Sequence, residues 1–453
     1  MAGISEGLRT SLNEIRETSI KNNTVYNRQI DEIEPNTDIS IFASQLFSDD
    51  NLINEFFDVL VKRIVYTQIV DYKLFNNPLQ FLWGDQMPLG SIGQEIFINP
   101  AKGRKFNVND FAGLLAKYEA DIKIQYPHVN SDIQYPVTIT RDKLRNAFTS
   151  WADLESFING ITQSLYNGAY IDRYNMTKGL VADAYNKNNV VIEVLDEPNT
   201  KAKAEAFLTK ARELYLNMQE PSSDYNAWRK VGGYGRDVIT WTEDSDIVFL
   251  IRNDIGAYLD VNVLANAFNL DKTVLLGRVK YVKDFNEYDK DGNVVIDGSN
   301  ILGIMCDKSW FRIKNQETDT SDFFNPNNRT RQIYLDDVNM YQYSLFSNAI
   351  VFATEEPEVT ITGLEVDKDT LTINATETAT VQVSTTPVNA NTPEITVESS
   401  DTDIATATID EKVVTITAVA SDTEADGTAT ITVSAGNVSA TIDVTVPYVA
   451  NNE

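Results

Sequence analysis

The most regular pattern of apolar positions lies between Trp151 and Asn186. This stretch contains no proline, and its apolar residues recur at steps of three and four, the spacing of one face of an α-helix. At 1.5 Å per residue, an unbroken helix would be about 54 Å long, far beyond the average of ~10–14 residues. Gly160, Gly168 and Gly179 each weaken it by up to ~1 kcal/mol relative to alanine. The pattern predicts either one long helix, the spine of a thin domain, or two helices separated at a glycine.

Shorter helical patterns come before the long one. Residues 1 to about 40 are expected to form a polar arm with one weak helical stretch from Leu8 to Glu17. Between Ile41 and Val70 the apolar residues again fall at helical spacing, which predicts one or two short helices that pack inward. The residues that carry this spacing are Leu46, Leu52, Phe56, Leu60 and Ile64.

An irregular stretch separates these helices from the long one. The segment from Asn76 to Pro100 contains prolines, glycines and aromatic residues without regular spacing, which predicts an extended loop or hairpin. A further irregular region with Pro127 and Pro136 continues to Thr140. Compact domains rarely carry so long an insertion without a functional reason. We therefore expect this stretch to project from the body as an arm.

Strand and helix patterns alternate after the long helix, which indicates a mixed α/β unit. The predicted strands are Val190 to Leu195, Ile247 to Ile251, Val279 to Val282, Ile301 to Met305 and Ala349 to Ala353. The predicted helices are Ala202 to Met218 and Val261 to Asn269.

The character of the chain changes at Pro357. From there to Val446 the chain has no Phe, Trp or Tyr, although the whole protein has 45 of these residues. Threonine and valine alternate with period two, as in TATVQV (378–383) and TATITV (428–433), which is typical of half-buried strands. The pattern predicts a separate small β-domain behind the acidic hinge at residues 355–357.

Composition and charge exclude several classes of function. The formal net charge is −28, and residues 357–447 hold fifteen acidic residues against two lysines. This balance argues against sequence-specific nucleic-acid binding, which needs clustered Lys and Arg. With His128 as the only histidine and Cys306 as the only cysteine, a multi-histidine metal site and a disulfide framework are both excluded. No signal peptide and no stretch of ~20 apolar residues is recognisable, so we expect folding in a reducing cytoplasm.

Three motifs carry candidate chemistry, and each has a simpler explanation. The acids and glycine of Glu287–Gly292 partly match a calcium loop, but the pattern fails because its first ligand is Glu287 and Gly298 stands at the position of the last one, so a hairpin turn is favoured. The glycines of 232–235 do not follow a phosphate-binding pattern and indicate a loop. Asp336 and Asp337 could act as general acid and base, yet adjacent acids are expected on solvated surfaces. We therefore predict no catalytic, cofactor-binding or metal site.

Three body segments, in order, resemble the major capsid proteins of phi 29-like short-tailed phages. They are NNPLQFLWGDQMPLGSIGQEIF (76–97), LRNAFTSWADLESFINGITQSLYNGAYIDRY (144–174) and LDVNVLANAFNLDKTVLLG (259–277), supported by DKSWF (307–311) and SNAIVF (347–352). The resemblance implies the Hong Kong 97-type capsid fold, of class α+β. Its parts would be an N-terminal arm with short helices (1–75), an E-loop (76–140), a peripheral domain with the spine helix (141–195), an axial domain (196–330) and a return to the peripheral domain (331–355).

The tail resembles a bacterial immunoglobulin-like domain of group 2. The matching segments are ITGLEVDKDTLTI (361–373), ITVESSDTDIATAT (395–408) and GTATITVSAG (427–436). Val397 stands where that family usually has a tryptophan, which removes the large core anchor. We expect an all-β sandwich of about seven short strands over residues 358–447.

The resemblance implies a structural function without enzymatic activity or cofactors. Copies of the chain, made in the host cytoplasm, would form pentamers and hexamers of an icosahedral or prolate virion shell. The implied partners are a scaffolding protein, a portal protein and double-stranded DNA, which the inner face would contact without sequence specificity. The immunoglobulin-like domain would decorate the outer surface, with host-surface polysaccharide as its candidate ligand. The alternatives are a surface adhesin or tail-fibre protein, and an enzyme with a carbohydrate-binding module.

Residues of the projecting arm are the candidates for contact between subunits. Apolar side chains on an arm need a partner, which is either a second subunit or the subunit's own loop. The apolar candidates are Trp83, Met87, Pro88 and Leu89. The basic candidates are Lys102, Arg104 and Lys105, which are either solvated or opposite acidic patches of a neighbour.

Overall fold

A computed structural model describes residues 4–21, 26–64, 74–105, 116–232, 237–258, 278–419 and 425–448. The α-helices in these ranges are α1 (Glu6–Lys21), α2 (Tyr26–Gln29), α3 (Ile39–Leu46), α4 (Asp50–Ile64), α5 (Arg141–Ala147), α6 (Trp151–Asn186), α7 (Lys201–Asn217), α8 (Trp228–Val231) and α9 (Asn253–Tyr258). Single 3₁₀ turns occupy Gln80–Leu82, Asp244–Asp246 and Lys308–Trp310.

The strands of the body and of the tail follow the same chain order. Those of the body are β1 (Glu95–Ile98), β2 (Ile122–Gln125), β3 (Ser131–Thr140), β4 (Val191–Val194), β5 (Ile247–Arg252), β6 (Val279–Val282), β7 (Glu287–Tyr288), β8 (Val294–Ile296), β9 (Ile301–Asp307), β10 (Phe311–Asn325), β11 (Thr330–Tyr343) and β12 (Ala349–Ala353). Those of the tail are β13 (Gly363–Val366), β14 (Thr370–Thr372), β15 (Thr378–Thr386), β16 (Thr396–Ser399), β17 (Ala405–Asp410), β18 (Val413–Ala418), β19 (Gly427–Ala435) and β20 (Val438–Val446).

The chain divides into two compact units. The first unit comprises Met1–Gln94, Tyr126–Thr177 and Arg312–Gln342. The second unit comprises Glu95–Gln125, Lys178–Phe311 and Tyr343–Glu453. Residue 330, where the predicted axial domain ends, is the first residue of β11 and lies within Arg312–Gln342 of the first unit. The predicted domain ranges stay predictions.

The first unit has a core made by its N-terminal helices. The helix predicted around Leu8 is confirmed and is longer than expected. Where one or two short helices were predicted from Ile41, the structure has two, α3, which begins at Ile39, and α4. Leu8, Leu12 and Ile15 of α1 are buried in the same cluster as Phe42 and Phe56. The described part of the N-terminal segment is therefore a packed helix rather than a purely polar extension.

A three-stranded sheet completes the first unit, in the order β10-β11-β3, with β11 and β3 antiparallel. The irregular structure that we predicted up to Thr140 is wrong for β3, which pairs with β11 along its whole length. Pro136 obscured this strand, because proline interrupts ladders; β3 is an edge strand, where the missing N–H is tolerated. The sequence analysis also did not predict the long strands β10 and β11.

The long helix α6 is a single helix from Trp151 to Asn186, which confirms the first of the two predictions. Two of its glycines allow close approach. A Cβ on Gly168 would lie 3.0 Å from the ring of Tyr135, and one on Gly179 would lie 2.8 Å from Glu287 Cβ. Nothing lies within 4 Å of a Cβ placed on Gly160. The glycines therefore differ in role despite their equal cost in helix propensity.

We expect Gly160→Ala to stabilise the protein by up to ~1 kcal/mol, because it removes the propensity penalty and meets no neighbour. Gly179→Ala should destabilise it, because the new Cβ overlaps Glu287 and forces that hairpin to shift. Denaturant unfolding of the two variants beside the wild type measures both changes. Equal stabilisation by the two substitutions would contradict the assigned packing role of Gly179.

The second unit is built on a mixed five-stranded sheet, in the order β4-β12-β9-β5-β6. All five strands were predicted, and α7 confirms the helix predicted from Ala202. The strands are nearly continuous apolar runs, as expected of a sheet covered on both faces. Phe207 of α7 packs against Phe249 and Phe352 in its core. The predicted helix Val261–Asn269 lies outside the described residues, as do glycines 233 and 235 of the glycine cluster.

The tail of the second unit forms two four-stranded sheets. Their orders are β13-β15-β18-β17 and β14-β20-β19-β16. Inward-facing residues of both sheets, such as Val381, Val414, Ile431 and Val444, belong to one buried cluster. The period-two pattern of threonine and valine is thus a pattern of outer and inner faces.

Candidate functional site

A two-stranded ribbon carries four exposed apolar side chains among the residues that the structure describes. Strand β1 pairs antiparallel with β2, and the register sets Ile96 opposite Ile124 and Ile98 opposite Ile122. Residues opposite each other in a ladder point to the same side, so these four share one face. Their exposed fractions are 53%, 41%, 58% and 50% in that order. We name this surface the four-isoleucine face.

The opposite face of the ribbon is anchored inside the second unit. The ring of Phe97 stacks on Phe346 with centroids 5.7 Å apart. The Gln125 side chain donates to the carbonyl of Tyr343 at 2.9 Å and accepts from the N–H of Leu345 at 3.0 Å. The ribbon therefore has one face held by its own chain and one face turned to solvent.

Leaving the four-isoleucine face in water has a substantial free-energy cost. Full burial of one such side chain contributes ~1.5–3 kcal/mol, so completing the burial of four half-exposed isoleucines is worth about 4 kcal/mol. Contiguous exposed apolar patches on otherwise soluble chains typically mark protein contacts. The arrangement can therefore supply an adhesive strip for another protein surface.

The apolar residues proposed from the sequence divide into two pairs. The Trp83 indole donates to Thr177 Oγ1 at 3.3 Å, meets the Tyr341 ring edge-on at 5.6 Å and lies 5.0 Å from the Arg173 guanidinium. Met87 is 6% exposed. Both residues thus pack within the first unit. Pro88 is exposed and Leu89 is 68% exposed, so these two are available for contact.

The three basic candidates are all exposed. The guanidinium of Arg104 lies 5.2 Å from the centre of the Tyr118 ring, which is itself 69% exposed. A cation above an exposed ring contributes ~0.5–1 kcal/mol. Residues 106–115, between Lys105 and this tyrosine, lie outside the described residues.

The four isoleucines were missed in the sequence analysis. The signal was present as the short alternating runs EIFI and IKIQ. In the first run each face carries an apolar residue, with Phe97 opposite Ile96 and Ile98, so the local pattern does not tell which face is covered by the protein itself. Only the contact between Phe97 and Phe346 makes that distinction.

A buried ion pair, which the sequence analysis missed, fixes the long helix to the sheet of the first unit. Asp337 is 1% exposed, and its Oδ2 accepts from Arg173 Nε at 2.8 Å. Its Oδ1 accepts from Thr318 Oγ1 at 2.9 Å, and Asn339 donates to Oδ2 at 2.7 Å. The prediction that Asp337 is solvated is therefore wrong. The sequence did contain an indication of this burial, because Asp337 follows Ile333 and Leu335 at every second position and so lies on the same buried face of β11.

The partial calcium-loop motif is part of a hairpin in the structure. Glu287–Gly292 begins the β7–β8 hairpin; the Asp289 carboxylate accepts from the backbone N–H of Asp291 and Asn293, and Gly292 has φ +83°. Burial raises the pKa of the Cys306 thiol well above its usual value.

In the described parts of the chain, no group of three or more His, Cys, Asp or Glu is placed to hold a metal ion. Of the helices in the described ranges, none is long and apolar enough to cross a membrane.

Comparison with known proteins identifies the family to which the chain belongs. The Phi29-like phage major capsid protein family matches residues 12–353. The chain belongs to this family. The match ends at the last residue of β12 and does not include the tail.

Individual relatives agree with the family. The chain is 30% identical to the major capsid protein of Bacillus phage B103 over 313 residues, which cover 68% of this chain and 65% of that protein. It is 24% identical to the major capsid protein of Streptococcus phage Cp-1 over 311 residues, which cover 67% of this chain and 83% of that protein. The matched region is thus slightly less than two thirds of the length of the Bacillus phage protein.

A solved structure shows the same fold at low identity. A chain in the capsid structure of Staphylococcus phage Andhra superposes with a TM-score of 0.51 and 15% identity, covering 64% of this chain and 87% of that one. The mixed α and β architecture of the matched part is therefore a fold that also occurs in a phage capsid structure.

Proposed function

We propose that the chain is the shell-building subunit of a tailed-phage head, which self-assembles into an icosahedral or prolate virion shell around double-stranded DNA. The observation that carries this proposal is the four-isoleucine face, an apolar strip on a ribbon anchored through its other side. A second copy of the chain is the partner available in every assembly of identical subunits. Many such modest interfaces would sum to a stable shell.

The Hong Kong 97-type arrangement is part of the proposal. The long helix α6 has the length expected of its spine helix, and the β1–β2 ribbon lies within the segment assigned to the E-loop. The five-stranded sheet and α7 supply the α/β unit assigned mainly to the axial domain. The arm and the domain ranges given above remain proposals, as do pentamers and hexamers as capsomers.

The other partners follow from the same proposal. Packaged DNA would meet the inner face without sequence specificity, consistent with the net charge of −28. A scaffolding protein would direct assembly, and a portal protein would occupy one vertex. None of these functions requires a catalytic residue.

The tail is proposed to be an immunoglobulin-like domain of group 2 that decorates the outer surface. Two four-stranded sheets around one core support a sandwich, with one strand more than the expected seven in the described residues. Without aromatic residues between 357 and 446, a bound polysaccharide would rely on hydroxyl hydrogen bonds rather than ring stacking. The adhesin alternative has only this tail to support it, because the family match covers the body.

Electron microscopy of the purified full chain, expressed with and without a scaffolding protein of the same phage, tests the proposal. We expect uniform closed particles in at least one of the two preparations. Monomers that persist in both preparations would contradict a shell-building function.

A further inference from the structure

The C-terminus of the long helix ends in a left-handed turn. Asn188 has φ 52°, and its N–H donates to the carbonyl of Tyr185 at 2.8 Å. The N–H of Asn189 donates to the carbonyl of Ala184 at 2.8 Å. A helix that ends in this way still leaves carbonyl groups of its last turn in need of donors.

One residue of the tail meets this turn. The side-chain Nδ2 of Asn389 donates to the carbonyl of Lys187 and, at 2.7 Å, to Oδ1 of Asn189. In return, Asn188 Nδ2 donates to the carbonyl of Asn389 at 3.0 Å. A single tail residue therefore bonds to three consecutive residues at the end of α6. We name this set of contacts the asparagine clasp.

The clasp is supported on both sides. On the body side, Lys230 Nζ donates to Asn188 Oδ1 at 2.5 Å, and a cation at a helix C-terminus is favourable. Burial lowers the pKa of Lys230 to about 8. On the tail side, Ala390 is 3% exposed and packs in a cluster with Ile361 and Ala435. Asn389 is thus next to a residue that is packed in the core of the tail.

A second set of contacts holds the connecting segment. The Tyr185 hydroxyl donates to the carbonyl of Glu355 at 2.8 Å, and Asn300 Nδ2 donates to Glu355 Oε1 at 2.5 Å. The N–H of Thr354 donates to the carbonyl of Asn300 at 3.0 Å. One attachment at the connection leaves the tail free to swing, whereas two separate attachments remove that freedom.

We propose that Asn389 is a positioning residue that docks the tail onto the C-terminus of α6, so that the body carries the tail in one fixed orientation. The inference goes beyond the proposed function, because the contacts lie within one chain and do not depend on shell assembly. Its consequence is that any ligand of the tail is presented at a set angle to the body rather than on a free tether.

Distances between two spin labels on the full-length chain test the proposal. Ala206→Cys on α7 and Ser439→Cys on β20 place labels at exposed positions of the body and the tail. The native Cys306 is fully buried and does not compete for the label. In this background we expect Asn389→Ala to broaden the distance distribution at least twofold. An unchanged width would overturn the proposal.

Matched variants separate docking from folding. Asn374→Ala is the control, because the Asn374 side chain donates to Glu377 within the tail and takes no part in the clasp. The distance distribution of this variant should keep the wild-type width. Asn188→Gly keeps the left-handed turn and removes one of the three clasp bonds, so it should broaden the distribution by less than Asn389→Ala does. Circular dichroism and the melting temperature should stay unchanged in both clasp variants. If Asn389→Ala unfolds the tail, Asn389→Asp decides the question, because it keeps the size of the side chain but replaces the donor that Lys187 and Asn189 accept from. An unchanged width in that variant overturns the proposal.

Discussion

Replacement of Ile96 and Ile124 together by lysine is expected to abolish shell assembly while the isolated subunit stays folded. The two residues are a cross-strand pair on the exposed face of the ribbon, so the double variant breaks no contact of the subunit core. Exposed substitutions usually change the free energy of unfolding by no more than ~0.5 kcal/mol. In an assembled interface, two lysines would have to be desolvated without partners, at a cost that exceeds the apolar gain.

Electron microscopy and sedimentation measure assembly, and circular dichroism measures folding of the same samples. Val295→Lys is the matched control, since Val295 is a 62% exposed β-branched residue on the separate β7–β8 hairpin. The control should assemble normally, as should the conservative Ile96→Val, which keeps the face apolar. Closed shells at wild-type yield from the double lysine variant would refute the adhesive role of the four-isoleucine face.

Loss of the Asp337 carboxylate is expected to have the largest effect on stability. Asp337→Ala leaves the Arg173 guanidinium, whose side chain is 12% exposed, without its bidentate partner in the interior of the first unit. Removal of one member of a buried pair costs ~3–5 kcal/mol, because the remaining charge stays desolvated and uncompensated. Thr318 and Asn339 lose an acceptor at the same time.

Denaturant unfolding followed by tryptophan fluorescence measures this loss, since Trp83 lies 5.0 Å from Arg173. Asp336→Ala is the control at the adjacent position, where the carboxylate accepts from the exposed Gln134 side chain. It should cost no more than ~0.5–1 kcal/mol, as surface pairs do. Similar losses from the two substitutions would show that the buried pair does not fix α6 to the sheet.

The elements that sequence periodicity predicted are those whose pattern is long or uniformly apolar. The helix from Trp151 to Asn186 and the five strands of the second unit were predicted because each is decided by residues within its own span. Strand β3 alternates just as clearly, but Pro136 outweighed the alternation. Strands β10 and β11 were not predicted because polar residues occur on both faces of each strand, so the sequence does not alternate. Such strands are stabilised mainly by pairing with a neighbouring strand.

The assembly candidates show the same limit. Trp83 and Leu89 looked alike in sequence, as apolar residues on a projecting arm. Trp83 has partners at Thr177, Tyr341 and Arg173, which are far away along the chain, whereas Leu89 is exposed. The residues next to Trp83 and Leu89 in the sequence do not show which of the two is covered by a distant segment.

The sequence by itself determined that residues 151–186 are helical, that the composition changes at Pro357, and that the body resembles the family whose match over residues 12–353 confirms it. These depend on spacing and composition, which are local properties of the chain. The tertiary structure alone decided which face of the ribbon is exposed, which of two adjacent aspartates is buried, and which tail residue contacts the end of α6. Each of these depends on a partner more than 150 residues away, as in the pairs Arg173–Asp337 and Asn189–Asn389. Pairing over such separations is set by the packing of the whole unit, and no local pattern encodes it.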